Sequence, residues 1–192
     1  YAGLNYQRSF KDHIVNASAF YRLMKYVGLG KGTTYANQDV TAFVDYAYKD
    51  KYSVALSVSY NGTNRLPAGS RWGLFPALSL GWRIDKEFDW NNIQKLNLRA
   101  SAGITGNDNI TEYLDKHQFT AGSSFMFTND IVASTGMKEN SLPSSYYTYE
   151  KNAKFNLGVD FAAWDLLYFT VDGFYERNYD RLASGTNLVS SM

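Results

Sequence analysis

Cysteine is missing from this chain, so it holds neither a disulfide framework nor a thiolate metal site, while the compartment stays open. An excess of one charge is missing too: 19 basic against 18 acidic residues leave a net +1. That balance gives no reason to expect nucleic acid or an acidic partner. No run approaches the roughly eighteen apolar residues of a membrane helix. This excludes helical spans but not barrel strands, which need about ten residues and turn only half of them to lipid. Convincing helical periodicity is absent, although DKEFDWNN at 85–92 has room for one turn. G-x-S-x-G, P-loop and H-E-x-x-H motifs do not occur. No catalytic residue, cofactor or metal is expected, and the chain does not read as an enzyme.

Aromatic rings, by contrast, make up 17% of residues, and alternation runs through most of the chain. In KYSVALSVSYNG, residues 51–62, Tyr52, Val54, Leu56, Val58 and Tyr60 point one way. Ser53, Ala55, Ser57, Ser59 and Asn61 point the other, as a period-2 strand requires. The same signal runs over 1–8, 12–25, 36–49, 51–63, 72–84, 93–105, 149–163 and 166–180. A weaker segment is QFTAGSSFMFT at 118–128. Short connections (9–12, 49–51, 85–92, 163–165) alternate with longer ones (26–35, 64–71, 106–148). Outer-membrane barrels connect their strands this way, although sandwiches also have unequal ends. Pro76 cannot donate to a ladder, and Phe75 beside it falls on the polar face, so a bulge at Phe75-Pro76 is expected. YAGLNYQR reads as strand from its first residue and shows no export signal, while ASGTNLVSSM trails off in polar residues. The expectation is a piece of a longer chain.

Ring placement separates a membrane barrel from a soluble sandwich. Tyr52 and Tyr60 bracket one strand and Trp72 and Trp82 the next, with Val, Leu and Ala between them. Eight to ten tilted residues cover roughly 20–25 Å, the height of an apolar band between aromatic girdles. These four are the expected membrane-interface aromatics. The opposite faces carry Ser, Asn, Lys, Arg and Asp, which suit a wet lumen.

Other candidates are weak. His13 and His117 have no second ligand at metal spacing and read as solvated surface histidines. Asn107, Asp108 and Asn109, or Asn129 and Asp130, offer oxygens for calcium but are ordinary turn formers. Nothing positions Glu112 and Asp115 as a pair, and the sequons at Asn16, Asn61 and Asn109 read as chance. In the long connection, Phe125, Phe127, Tyr146 and Tyr147 lie among Asn107, Asn109, Asn129 and Asn140. Such a loop can contact sugars or peptides, and a self-packed loop has the same composition.

Three stretches carry a resemblance: YNGTNRLPAGSRWGLFPALSLGWRI (60–84), LNLRASAGITGN (96–107) and YEKNAKFNLGVDFAAWDLLYFTVDGFYERNYDRL (149–182). Together they resemble the barrel region of SusC/RagA-type TonB-linked outer-membrane proteins of the Bacteroidetes, across nearly the whole chain. The resemblance implies an all-β fold: an antiparallel transmembrane β-barrel segment, about eight strands of a barrel of about 22. Residues 1–192 then form part of one TonB-dependent receptor barrel domain, with plug, TonB box and N-terminal domain absent from this sequence. It also implies an integral protein of the cell outer membrane that imports glycans or peptides. Its partners are then a SusD-like surface lipoprotein, TonB (through parts absent here) and outer-membrane lipid. Substrate contacts do not transfer residue by residue. Two other readings remain: a complete small eight-stranded outer-membrane barrel, and a soluble carbohydrate-binding β-sandwich.

Overall fold

A computed structural model describes residues 1–27, 34–88, 90, 92–109, 116–126, 133–141 and 146–182. The strands are β1 (Ala2–Phe10), β2 (His13–Val27), β3 (Thr34–Tyr48), β4 (Tyr52–Thr63), β5 (Trp72–Arg83), β6 (Ile93–Asn107), β7 (Gln118–Met126), β8 (Ala133–Ser141), β9 (Glu150–Ala163) and β10 (Leu167–Tyr179). All eight alternating segments are strands, and they pair antiparallel in one sheet ordered β1-β2-β3-β4-β5-β6-β9-β10. β7 and β8 form a separate hairpin. The weak segment at 118–128 supplies its first strand. Its second, ASTGMKENS, was not expected, because it is polar on both faces and carries no period.

β1 and β10 are the sheet's two edges and do not pair with each other. Among the described residues the sheet therefore does not close into a complete small barrel. A single sheet with one detached hairpin also replaces the two face-packed sheets of a sandwich. Among the described residues no helix is long and apolar enough to cross a membrane, which says nothing of strands. The expected turn within 85–92 is a short 3-10 helix at Ile84–Lys86.

The expected bulge at Phe75-Pro76 is absent. Ser59↔Phe75 and Val58↔Pro76 continue an unbroken β4–β5 register. The β5–β6 ladder, however, starts only at Ala77↔Gly103. The residue that cannot donate thus stands just outside that pairing, where its missing N–H does no harm.

The short connections all lie at one end of the sheet and the long ones at the other. Tight turning puts Lys11, Lys49, Asp50, Trp164 and Asp165 in the left-handed region, with φ between 51° and 58°. Neighbouring turns hold one another: Lys49 N–H donates to Asp12 O at 2.8 Å, Arg83 N–H to Lys51 O at 2.7 Å, and Trp164 N–H to Asn92 O at 3.0 Å.

Candidate functional site

Strand register sorts every described side chain of the large sheet onto one of two faces. The apolar face runs through Val15, Tyr46, Val54, Leu80, Ala100 and Leu157, paired successively from β2 to β9. No Asp or Glu in the eight strands lies on it. Its charges are Arg8, Lys25, Lys151 and Arg177. The expected interface aromatics Tyr52, Tyr60, Trp72 and Trp82 all stand on this face, 37–45% exposed, so they fill no core.

Their rings form rows across the strands. At the short-turn rim, Phe10, His13, Tyr48, Tyr52 and Trp82 follow one another with centroids 5.2, 4.9, 6.5 and 6.4 Å apart. At the long-loop rim Tyr60 stacks on Trp72 at 4.8 Å. His13 is therefore not a solvated histidine: it lies between two rings and shares a 2.8 Å hydrogen bond with the Tyr46 hydroxyl. Sequence reading missed this row because its members lie far apart in the chain, and register alone aligns them. His117 is exposed and pairs with Glu139 at 2.6 Å.

The other face is polar and internally paired. Arg22 Nε donates to Asp39 at 2.7 Å, and Thr41 and Ser59 share a 2.6 Å bond. Arg99 Nη2 bridges Asp160 at 3.1 Å and Asp172 at 3.2 Å. Asp160 also accepts from Asn97 and Thr170 and faces Lys95 Nζ at 3.5 Å. Ser53, Ser57, Ser79, Ser101 and Gly103 keep the surface between these clusters low.

At the long-loop rim the polar face carries one small apolar cluster. Leu66 and Tyr149 are 1% and 2% exposed, with Phe75 and Tyr147 packed against them. Phe75 meets Tyr149 edge-on at 5.2 Å. Gly73 and Gly106 make this possible, because a Cβ on either would run into the Phe75 ring. Tyr149 Oη donates to Asn61 O at 3.1 Å and is 3.0 Å from Arg71 O, joining both sides of the 64–71 loop. Burial pushes its phenol well above the ordinary range. Asn64 ties the same loop to β3: Ala36 N–H donates to its Oδ1 and its Nδ2 donates to Thr34 O.

Of the expected ligand-contact residues, Tyr147 belongs to this cluster and Tyr146 is exposed beside it. Phe125 is described only as backbone of β7, paired with Ser134, and Phe127 lies outside the described residues, as do Glu112, Asp115, Asn129 and Asp130. Asp108 accepts from the Tyr35 hydroxyl, and Asn109 N–H donates to Asn107 Oδ1 as in a turn. No group of three or more His, Asp or Glu that could hold a metal occurs among the described residues.

Comparison with known proteins agrees with this geometry. TonB-dependent receptor P39 of Formosa agariphila is 31% identical over 154 residues, covering 78% of this chain and 14% of its own length. TonB-dependent receptor SusC of Bacteroides thetaiotaomicron is 28% identical over 189 residues, covering 85% and 18%. The chain thus spans less than a fifth of either relative. In fold it is similar to a chain of the RagAB peptide transporter: TM-score 0.76, 18% identity, 92% of this chain and 23% of that one. No family model matches. An eight-stranded sheet of this order, with this likeness along most of its length, belongs to the SusC/RagA-type TonB-dependent receptors and is a stretch of their barrel.

Proposed function

We propose that residues 1–192 form part of the wall of one integral outer-membrane barrel, and that the protein carrying them imports glycans or peptides. Import is TonB-dependent and uses a SusD-like surface lipoprotein. The observation that carries this reading is the division of charge between the two faces. In lipid every backbone group must pair within the protein, which an antiparallel wall achieves strand to strand. An apolar face without carboxylates avoids the cost of a buried charge. A polar face of paired ions tolerates a wet lumen, and its small serines and alanines leave room for a plug. The four interface aromatics then mark the two water boundaries. The peptide alternative gains support from the description of the RagAB neighbour as a peptide transporter.

The test has two arms. The protein in isolated outer membranes should resist salt and alkaline carbonate and be released by detergent. Uptake of a labelled oligosaccharide or peptide should collapse when TonB is removed. Release by salt alone would sink the wall reading. Uptake indifferent to TonB would sink the import reading and leave the wall standing.

A further inference from the structure

The few charges on the apolar face are unevenly placed. Arg8 stands near the short-turn rim, while Lys25, Lys151 and Arg177 stand at the long-loop rim. Lys151 pairs with Asp180 at 3.0 Å. Lys25 is exposed and has no ion-pair partner among the described residues. Beside it the apolar face is grooved, with Leu23, Ala36, Gln38, Gly62, Arg71 and Trp72 among the residues lining the depression, the Arg71 Nε being already held by Leu66 O.

Local sequence explains the groove. Gly62 has no side chain, and the Trp72 indole lies over it so closely that an added Cβ would meet the ring at 2.7 Å. Ala36 keeps the floor low on β3. Leu23 and the Trp72 ring stand as walls. Lys25 is the register partner of Ala36, so its chain rises from the row that forms the floor. The Tyr21 hydroxyl donates to Gln38 Oε1 at 3.3 Å, which leaves the amide N–H groups of Gln38 to point at another acceptor.

We propose that this groove holds one anionic, phosphate-bearing lipid of the adjoining leaflet. Its phosphate sits over Ala36 between the Lys25 ammonium and the Gln38 amide, and its acyl chain runs towards mid-wall between Leu23 and the Trp72 indole that covers Gly62. Charge complementarity selects this occupant: the strands put cations and no carboxylate on this face, and an anionic headgroup at the interface is what such a cation attracts. Apolar walls below a cation match the two chemistries of a lipid, whereas a soluble anion would leave Leu23 and Trp72 in water. The inference rests on the proposal that this face meets the membrane.

The test uses the full receptor in detergent, titrated with phosphatidylglycerol or phosphatidylcholine and read by native mass spectrometry, with insertion into vesicles of the same lipids checked separately. The wild type should retain phosphatidylglycerol over phosphatidylcholine. Lys25→Gln should weaken phosphatidylglycerol retention about fivefold, the factor one basic side chain contributes near an anionic surface. Gln38→Leu should weaken it less, and Arg8→Gln, on the opposite rim, should leave it unchanged. Equal retention by wild type and Lys25→Gln, or an equal loss with Arg8→Gln, overturns the proposal. A receptor that enters vesicles but shows no such difference defeats this inference alone. One that enters no vesicle defeats the membrane reading with it.

Discussion

Leu56 and Ser57 are neighbours in β4 and share one backbone environment, yet they meet different worlds. Leu56 is flanked across the strands by Val44 and Leu78, Ser57 by Phe43 and Ala77. The difference between the two faces is sharper in charge than in hydropathy. The polar face carries Asp39, Asp160, Asp172 and Glu176 opposite Arg22, Arg99 and Lys154. The apolar face of the same strands has a few cations near its rims and no anion. A net charge of +1 for the whole chain therefore conceals two surfaces with opposite rules. Register, which decides which residues share a face, recovers what the total averages away.

The largest expected effect comes from exchanging those rules at mid-wall. Leu56→Arg should destabilise the receptor in lipid vesicles by about 2–4 kcal/mol, the cost of a cation at the bilayer midplane of a barrel. Ser57→Arg, one residue away, should cost less than about 1 kcal/mol if its face is wet. Urea unfolding of both variants in vesicles measures the contrast. Equal costs would mean that the two faces do not meet different solvents.

A second contrast uses glycines. Gly106→Val puts a branched side chain where the Phe75 ring lies, and overpacking there should cost about 1–3 kcal/mol. Gly173→Ala lies on the apolar face of β10, where a Cβ would find only Leu157 O at 3.9 Å. That change should be neutral or slightly stabilising, since it restricts the unfolded chain without a clash. A large loss from Gly173→Ala would mean that something packs closely against β10.

How much was readable beforehand follows from where the information lies. Alternation within ten residues is a local signal, so β1–β6, β9 and β10 could be drawn from sequence with ends shifted by a few residues. That Tyr52, Tyr60, Trp72 and Trp82 share one face follows from the same local alternation. Phe75 looked like an error because its purpose is non-local: it packs on Tyr149, whose position is set by pairing to β6. His13 looked solvated because its ring neighbours Tyr46 and Tyr48 come from another strand. β8 was invisible because a strand polar on both faces has no period to detect.

The smallest effect probes a place where the long-loop rim of the polar face buries a ring as a core would. Tyr149→Phe keeps the ring against Leu66 and Phe75 but removes the hydroxyl that holds Asn61 O and Arg71 O. At neutral pH the loss should be about 1–1.5 kcal/mol, more than an exposed tyrosine hydroxyl contributes, because the hydroxyl of a buried residue shares its one proton between Asn61 O and Arg71 O. The pH dependence gives the sign. Burial raises the folded-state pKa of the phenol above its unfolded value, so the folded form holds its proton more tightly. The hydroxyl's contribution is then fully present below the unfolded pKa of about 10 and is lost as pH rises through the folded value. Stability curves of wild type and Tyr149→Phe should therefore lie apart at pH 7 and converge above about pH 10, where the unfolded wild-type chain ionises and the variant does not. A gap that stays constant across this range would mean that the phenol is solvated, and that the 64–71 loop does not close over it.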